Sequence, residues 1–400
     1  MNLHSPSPFW LLHHGIINSY PSLNHDVKTD IVIIGAGISG ALVANQLCRA
    51  GYKVIITDRR HAGFGSTAAS TSLLQYEIDE PLRRLIQLVG EEKAIRSYHL
   101  CRQAIDDVEK LCGTLNDKGL FFRKPSFQFA SFKKHADNLK EEFSLRRRAG
   151  LSVQWLEDRE ISKKFGFSKT AGILSADGAE ADAYKITHRL LEKLIPKGLH
   201  VYDNTEIIAI LHNKNGVELI TFNQKKIRAK KLIICCGYES QKYIPFKVQE
   251  LQTTFAIASE PFEQKNFWYR NALIWETQTP YLYLRTTKDN RIIAGGKDIP
   301  ITNPKKRDPL IPQKAKSLER SFSKLFPELE FNTDFQWAGT FASTKDGLPF
   351  IGPIRQRPHT YFALGFGGNG ITFSVIAAFI IRDLLSRKKN KDADIFKFDR

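Results

Sequence analysis

The stretch Asp30-Ile-Val-Ile-Ile-Gly35-Ala36-Gly37-Ile38-Ser39-Gly40, followed by Ala41 to Gly51 and then by Tyr52-Lys-Val-Ile-Ile-Thr-Asp58, decides the fold. An apolar run ends in glycines, a segment of helical period closes at Gly51, and a second apolar run ends in an acid. That succession is a β-α-β unit. Asp58 stands 23 residues after Gly35, the spacing at which an acid meets a ribose. Gly35 permits the tight turn, Gly37 lets backbone approach a pyrophosphate, and Gly40 lets the helix lie close to the strand. The helix N-terminus then offers unpaired N–H groups and a positive dipole end to phosphates.

Working outward, Gly63-Phe-Gly65-Ser66-Thr67-Ala-Ala-Ser70-Thr71-Ser72-Leu73-Leu74 is built from small and hydroxyl residues, suited to backbone that runs against a ligand. Residues 81–112 repeat apolar side chains at three- and four-residue steps, and Gly90 separates two helices there. Phe121-Phe122 and Phe127-Gln-Phe129 read as strands and 137–149 as a helix. From Leu199 to Gly237 the pattern is strands, ending in Leu232-Ile-Ile-Cys235-Cys236-Gly237, a continuous apolar run of the kind found in parallel strands covered on both faces. Tyr281-Leu-Tyr283-Leu-Arg285 and Arg291 to Gly296 are further strands. Tyr361 to Ile371, with Gly365, Gly367, Gly368, Asn369 and Gly370, is a strand and glycine turn that open a helix ending near Leu385. Two glycine-bound helix termini in one chain suit an extended dinucleotide.

Composition narrows the classes. The 400 residues carry 59 Lys+Arg against 42 Asp+Glu, a formal charge of +17, with 25% charged and 42% hydrophobic residues, which are globular values. The basic clusters (146–148, 225–226, 230–231, 305–307, 387–389) are scattered, and no zinc-finger or RNA-recognition signature accompanies them. Nucleic acid is therefore not the expected partner, while peripheral membrane contact stays open. The five cysteines include no C-x-x-C pair and no His at zinc spacing, so neither a disulfide scaffold nor a metal site is expected, and a reducing cytoplasm fits. The first 23 residues read as neither signal peptide nor membrane anchor, and the apolar run Ile371 to Ile381 is shorter than a bilayer span.

Taken together, GAGISG with Asp58, the GSTAAS segment, the LIICCG strand, Gly295-Gly296, Trp337-Ala-Gly339 followed by Thr344-Lys-Asp346-Gly347-Leu-Pro349-Phe-Ile-Gly352, and GFGGNGI resemble the D-amino-acid-oxidase-like FAD-dependent oxidoreductases, which include glycine, sarcosine and gamma-glutamylputrescine oxidases. The resemblance runs from about residue 28 to 386. It implies an α/β Rossmann-like FAD-binding domain interleaved with a mixed-sheet (α+β) substrate domain. The boundaries expected are an N-terminal extension (1–27), FAD-binding segments (28–80, 151–245, 336–386), substrate-domain segments (81–150, 246–335) and a basic tail (387–400).

It further implies that Gly35, Ala36, Gly37, Ile38, Ser39, Gly40, Asp58 and Arg59 hold the ADP half. Ser66, Thr67, Ser70, Thr71, Ser72 and Leu73 run beside the pyrophosphate and flavin, and Ile207 and Gly237 border the nucleotide. Gly367, Gly368, Asn369, Gly370 and Ile371 aim N–H groups at the flavin N1–C2=O edge. The activity implied is oxidation of a C–N bond of an amine or amino acid by hydride transfer to flavin N5, with O₂ or another acceptor taking the electrons.

Phe341 departs from the pattern. It stands where amino-acid-oxidising relatives place a carboxylate-binding arginine, which leaves Arg285 or another cation to replace it, or a substrate without an α-carboxylate there. An amine or N-substituted amino compound is favoured over a simple D-amino acid. Tyr76 and Glu77 are candidates to bind an ammonium group, and Arg291 and Lys297 to assist reoxidation. His61, His188 and His359 read as surface or structural residues, and Cys235 and Cys236 as core thiols. Alternative readings are a tRNA-modifying flavoprotein acting on an aminomethyl uridine, a non-catalytic FAD-binding protein, and an NAD-linked dehydrogenase that leaves GFGGNGI unexplained.

Overall fold

A computed structural model describes residues 1–400, organised on two sheets. The first sheet runs in the order 350–353, 360–364, 226–234, 27–34, 54–57, 200–202. Strand Val27–Ile34 is central and pairs in parallel with both Lys226–Ile234 and Val54–Thr57. Its side chains alternate between two apolar clusters. Ile31 and Ile33 meet the helices Ile38–Arg49 and Gly370–Leu385, while Val32 and Ile34 meet Ile207, Leu219 and Phe362 on the other face. Burial on both faces is why the run is continuously apolar.

The second sheet is mixed, in the order 333–343, 250–259, 292–299, 283–286, 273–276, 121–129, 171–181, 73–75, with 153–157 pairing on 171–181. Its outer face packs on helix Ile311–Leu325 through Leu318 and Phe322, and Phe127 stacks on Phe165 at 4.1 Å. The register leaves little room along 171–181, where a Cβ at Gly172 would fall inside the Phe127 ring.

The expected segment boundaries shift in four places. Residues 153–157 and 171–181, placed above with the FAD-binding segments 151–245, pair in the second sheet. So do 73–75 and 333–343. Conversely, the helices Leu82–Val89 and Glu91–Cys112 contribute Leu82, Leu85, Tyr98, Cys101 and Ile105 to the large core shared with the first sheet. Periodicity reports the element type and its buried face, but not which sheet supplies the partner.

Both ends of the chain are docked. Leu3 and Ser5 exchange backbone hydrogen bonds with Thr340 and Ala338 along the edge strand Thr333–Ser343, covering a sheet edge. Trp10 is buried and donates its Nε1–H to the Ser70 carbonyl at 2.7 Å. The expected basic tail also folds back, burying Ile395 and Phe396, while the Arg400 guanidinium lies 3.9 Å from the Phe350 ring centroid and bonds to Asp346. The helical stretch from Gly367 to Leu385 is long and apolar enough to cross a membrane by composition, but Ile371 to Ala378 are buried inside the fold.

Candidate active site

Between the two sheets runs one connected cavity of about 470 Å³. One arm lies at the C-terminal ends of the first sheet's parallel strands, where a doubly wound sheet binds its ligand. It is lined by Gly35, Gly37, Ile38, Ser39, Asp58, Arg59, Ile207 and Gly237. Gly35 has φ +110°, and a Cβ there would sit 2.5 Å from the Cys235 carbonyl oxygen. At Gly40 a Cβ would overlap the Gly35 carbonyl oxygen, so Gly40 works by close packing without reaching the cavity. Ala36 is also behind the wall, and its N–H donates to Asp58 Oδ2 at 2.8 Å. Asp58 Oδ1 accepts from the Arg60 N–H at 2.9 Å. Burial raises the Asp58 carboxyl above its ordinary range, and these backbone donors oppose that rise.

Several groups in this arm have no partner within the chain. The N–H of Ser39, at the cavity wall, lies in the first helical turn and lacks an intrahelical acceptor. Ser66 Oγ and Thr340 Oγ1 are buried, line the cavity and are unbonded. The Ile38 N–H donates to Thr67 Oγ1 at 3.0 Å, tying the helix to the hydroxyl-rich loop. Sequence reading missed Thr205, Tyr238 and Glu239 in this arm. Glu239 accepts from Arg59 at 2.5 Å and from Arg60 at 3.0 Å, fixing both guanidiniums at the wall. Cys235 and Cys236 touch the cavity with unreactive thiols, and burial pushes Cys236 up to about 12.

The loop from Ser66 to Leu73 joins the two arms, and side chains behind it hold it in place. Trp337 Nε1 donates to the Ala69 carbonyl at 2.9 Å. Arg285 Nη1 donates to the carbonyls of Thr71 (3.0 Å), Ser72 (3.1 Å) and Ala181 (2.9 Å). Arg285 is 3% exposed and does not line the cavity, so it is no replacement for a carboxylate clamp. Arg291 is likewise committed elsewhere, to Asp289, Asp334 and the Ser259 carbonyl. Lys297 lies off the cavity, and its carbonyl accepts from Lys314 Nζ.

The other arm is walled by the second sheet. Gln75, Glu77, Asp79, Trp275, Tyr281, Tyr283 and Asp298 face it. Tyr76 does not, being fully buried behind the wall. Asp79, exposed to the cavity, accepts from the Gly368 N–H at 2.8 Å and faces the Tyr281 hydroxyl at 3.4 Å. The Gly368 N–H, expected to aim at a flavin edge, is thus engaged by a carboxylate. Asn369 positions the turn instead, donating Nδ2 to the carbonyls of Gln75 (3.1 Å) and Glu77 (2.8 Å). Gly367, Gly370 and Ile371 line the cavity as expected.

Burial pushes Asp298 up to about 6; Asp79 adds to that rise, while Lys314 and Thr254 oppose it. Tyr281 and Tyr283 also feel its charge. Between about pH 4 and 6 the folded protein therefore keeps a proton that the unfolded chain has released. Stability from this group is full below that window and is lost as pH rises through it. Asp298→Asn is expected to raise the melting temperature relative to the unsubstituted protein at pH 8, with the difference closing toward pH 4. A pH-independent difference would contradict this assignment.

Nearly the whole chain, residues 30–384, matches the family model described as FAD dependent oxidoreductase. The chain belongs to that family. FAD is its cofactor, and the glycine packing, Asp58 and the unpartnered hydroxyls and Ser39 N–H of the first arm suit that cofactor. Among similar proteins, glycine oxidase of Geobacillus kaustophilus is 23% identical over 390 residues, covering 90% of this chain and 94% of that one. Gamma-glutamylputrescine oxidoreductase of Escherichia coli is 21% identical over 382 residues, covering 92% and 85%. Among solved structures, the same glycine oxidase superposes with a TM-score of 0.77 at 19% identity, covering 92% and 96%. L-proline dehydrogenase from P. horikoshii gives 0.79 at 19%, covering 94% and 99%. These likenesses confirm the mixed α/β fold of this FAD-dependent oxidoreductase.

Proposed function

We propose that this oxidoreductase oxidises a C–N bond of a small amine or amino acid. The observation that carries the reading is the continuity of the cavity, in which an arm suited to FAD opens into an arm walled by aromatic rings and carboxylates. Two relatives carry an amino acid, glycine, and an amine conjugate, gamma-glutamylputrescine, in their names. Bound FAD supplies a two-electron acceptor for hydride from the carbon bearing nitrogen, after which water converts the imine to a carbonyl compound and a free amine.

The protein's own residues bind and orient. Trp275, Tyr281 and Tyr283 narrow the second arm and exclude water, which strengthens electrostatic contacts inside it. Asp79 and the Tyr281 hydroxyl present an acceptor and a donor that fix the pose of a polar substrate. Phe341 lines the cavity where an arginine would otherwise take a carboxylate, which favours amines. The test is product analysis. FAD-replete protein supplied with O₂ or an electron-accepting dye is expected to release a carbonyl compound and ammonia, or a shorter amine, from at least one member of an amine and amino-acid panel. No product from any member contradicts the reading.

A further inference from the structure

The second arm of the cavity carries a charge that the whole chain would not suggest. The protein has a formal net charge of +17, yet Glu77, Asp79, Glu276 and Asp298 all face this arm. Asp79 receives only an N–H and a hydroxyl, and no cation bears on it. Asp298 Oδ1 has no partner at all. Lys314, the one cation that bears on Asp298, is committed to the Lys297 carbonyl at 3.0 Å and to the Phe255 ring. Glu77 is 5% exposed, lines the same arm and leaves Oε2 unbonded, with Arg146 reaching only its Oε1 at 3.5 Å.

Aromatic rings complete the wall. Trp275 and Tyr281 meet edge to face at 6.1 Å, and Tyr283 follows at 5.9 Å from Tyr281. The Gly295-Gly296 pair makes this wall. A Cβ on Gly295 would fall inside the Tyr283 ring, so that ring lies over strand Ile292–Ile299 because the position is bare, while one on Gly296 would overlap the Tyr281 carbonyl oxygen, so the backbone carrying Tyr281 approaches closely there. Asp79, with no cation on it, and Asp298, with only the committed Lys314, stand beside ring faces, surroundings in which an organic cation gains by charge-assisted hydrogen bonds and cation–π attraction. The side chains form no group of three or more ligands placed for a metal ion.

We propose that this arm selects a cationic amine without an α-carboxylate, of the diamine or polyamine class, holding an ammonium group between Asp79 and Asp298 against Tyr281 and Tyr283. This rests on the oxidoreductase reading above. A carboxylated substrate would need a guanidinium instead. Arg83, in the first turn of helix Leu82–Val89, is the one that touches this end of the cavity.

The experiment measures ligand affinity by calorimetry on FAD-loaded protein kept anaerobic, with putrescine, spermidine, glycine and D-alanine as probes. Putrescine or spermidine is expected to bind at least about tenfold tighter than either amino acid. Asp79→Asn and Asp298→Asn are each expected to weaken that binding by about tenfold or more while FAD content and its absorbance spectrum stay unchanged. Arg83→Gln is expected to leave diamine affinity within about twofold. Tighter binding of the amino acids, its loss in Arg83→Gln, or unchanged diamine affinity in both aspartate variants would overturn the proposal. If one aspartate variant fails to fold, the other and the ligand ranking of the unsubstituted protein decide. Flavin reduction by amino acids alone would sink the diamine site and spare the oxidoreductase reading. Aspartate-dependent diamine binding with no turnover would do the reverse.

Discussion

Arg146→Met is expected to destabilise the folded protein by about 3–5 kcal/mol, the cost of leaving buried carboxylates without their cation. Arg146 is fully buried in helix Ala136–Arg148. Its Nε donates to Glu142 Oε1 at 2.8 Å and its Nη2 to Gln128 Oε1 at 3.1 Å, while Nη1 lies 3.5 Å from Glu77 Oε1. Glu142 in turn accepts the N–H groups of Leu82 and Arg83, both at 2.9 Å, and so holds the start of the next helix. The guanidinium therefore neutralises two acids, Glu77 and Glu142, both of which line the cavity. Burial pushes the Glu77 carboxyl upward while Arg146 pulls it down. Removing Arg146 takes away the largest influence that opposes this rise, leaving only hydrogen bonds from the Glu77 backbone and Ser126 against it. Chemical denaturation followed by circular dichroism measures the loss, and the combined change with Glu77→Gln and Glu142→Gln is expected to recover most of it. A loss below about 1 kcal/mol for Arg146→Met alone would show that water already reaches the cluster.

Gly40→Ala is expected to leave a folded protein that has lost at least about nine-tenths of its FAD at working concentrations, a weakening of about 1.4 kcal/mol or more. The added methyl would overlap the Gly35 carbonyl oxygen, which is backbone and has no rotamer by which to move. Helix Ile38–Arg49 must back away from strand Val27–Ile34, carrying with it the N–H of Ser39. Binding falls more than folding does, because the helix keeps its apolar contacts through Ala41, Leu42 and Ala44. The ratio of flavin to protein absorbance in the purified variant checks this. Stoichiometric FAD in Gly40→Ala would mean that this helix end does not hold the cofactor.

Much of the fold was legible because its signals are local. The alternation from Asp30 to Asp58, the glycines at 35, 37 and 40, and the apolar strand 232–236 each report backbone conformation or burial that neighbours in sequence dictate. Pairing partners were not local. Nothing in Ala171–Ala181 says that it faces Phe121–Phe129 and not the first sheet, since both settings bury a strand on its two faces. The same limit hid the substrate arm. Asp79, two residues before Pro81, has the look of a capping acid, and Asp298 that of a loop residue. Only the antiparallel pairing of strands 283–286 and 292–299, with Asp79 tied to Gly368 and Tyr281, makes them neighbours. Arg285 misled in the opposite direction. A lone arginine on a strand reads as a ligand for an external anion, whereas its partners are the chain's own, chiefly the carbonyls of Thr71, Ser72 and Ala181, with the buried Glu180 carboxylate 3.9 Å away. Gly295-Gly296 was visible as a motif, but its cause, the Tyr283 ring over Gly295 and the Tyr281 carbonyl against Gly296, needed the register.

The most direct test of the account is an anaerobic titration of the FAD-loaded protein with an amine while the oxidised flavin spectrum is recorded. The expected result is complete bleaching by one equivalent of amine per flavin, with colour returning when an electron acceptor is admitted. Protein that carries FAD in full yet keeps its oxidised spectrum with every amine and amino acid tried would contradict the claim that this cavity oxidises C–N bonds.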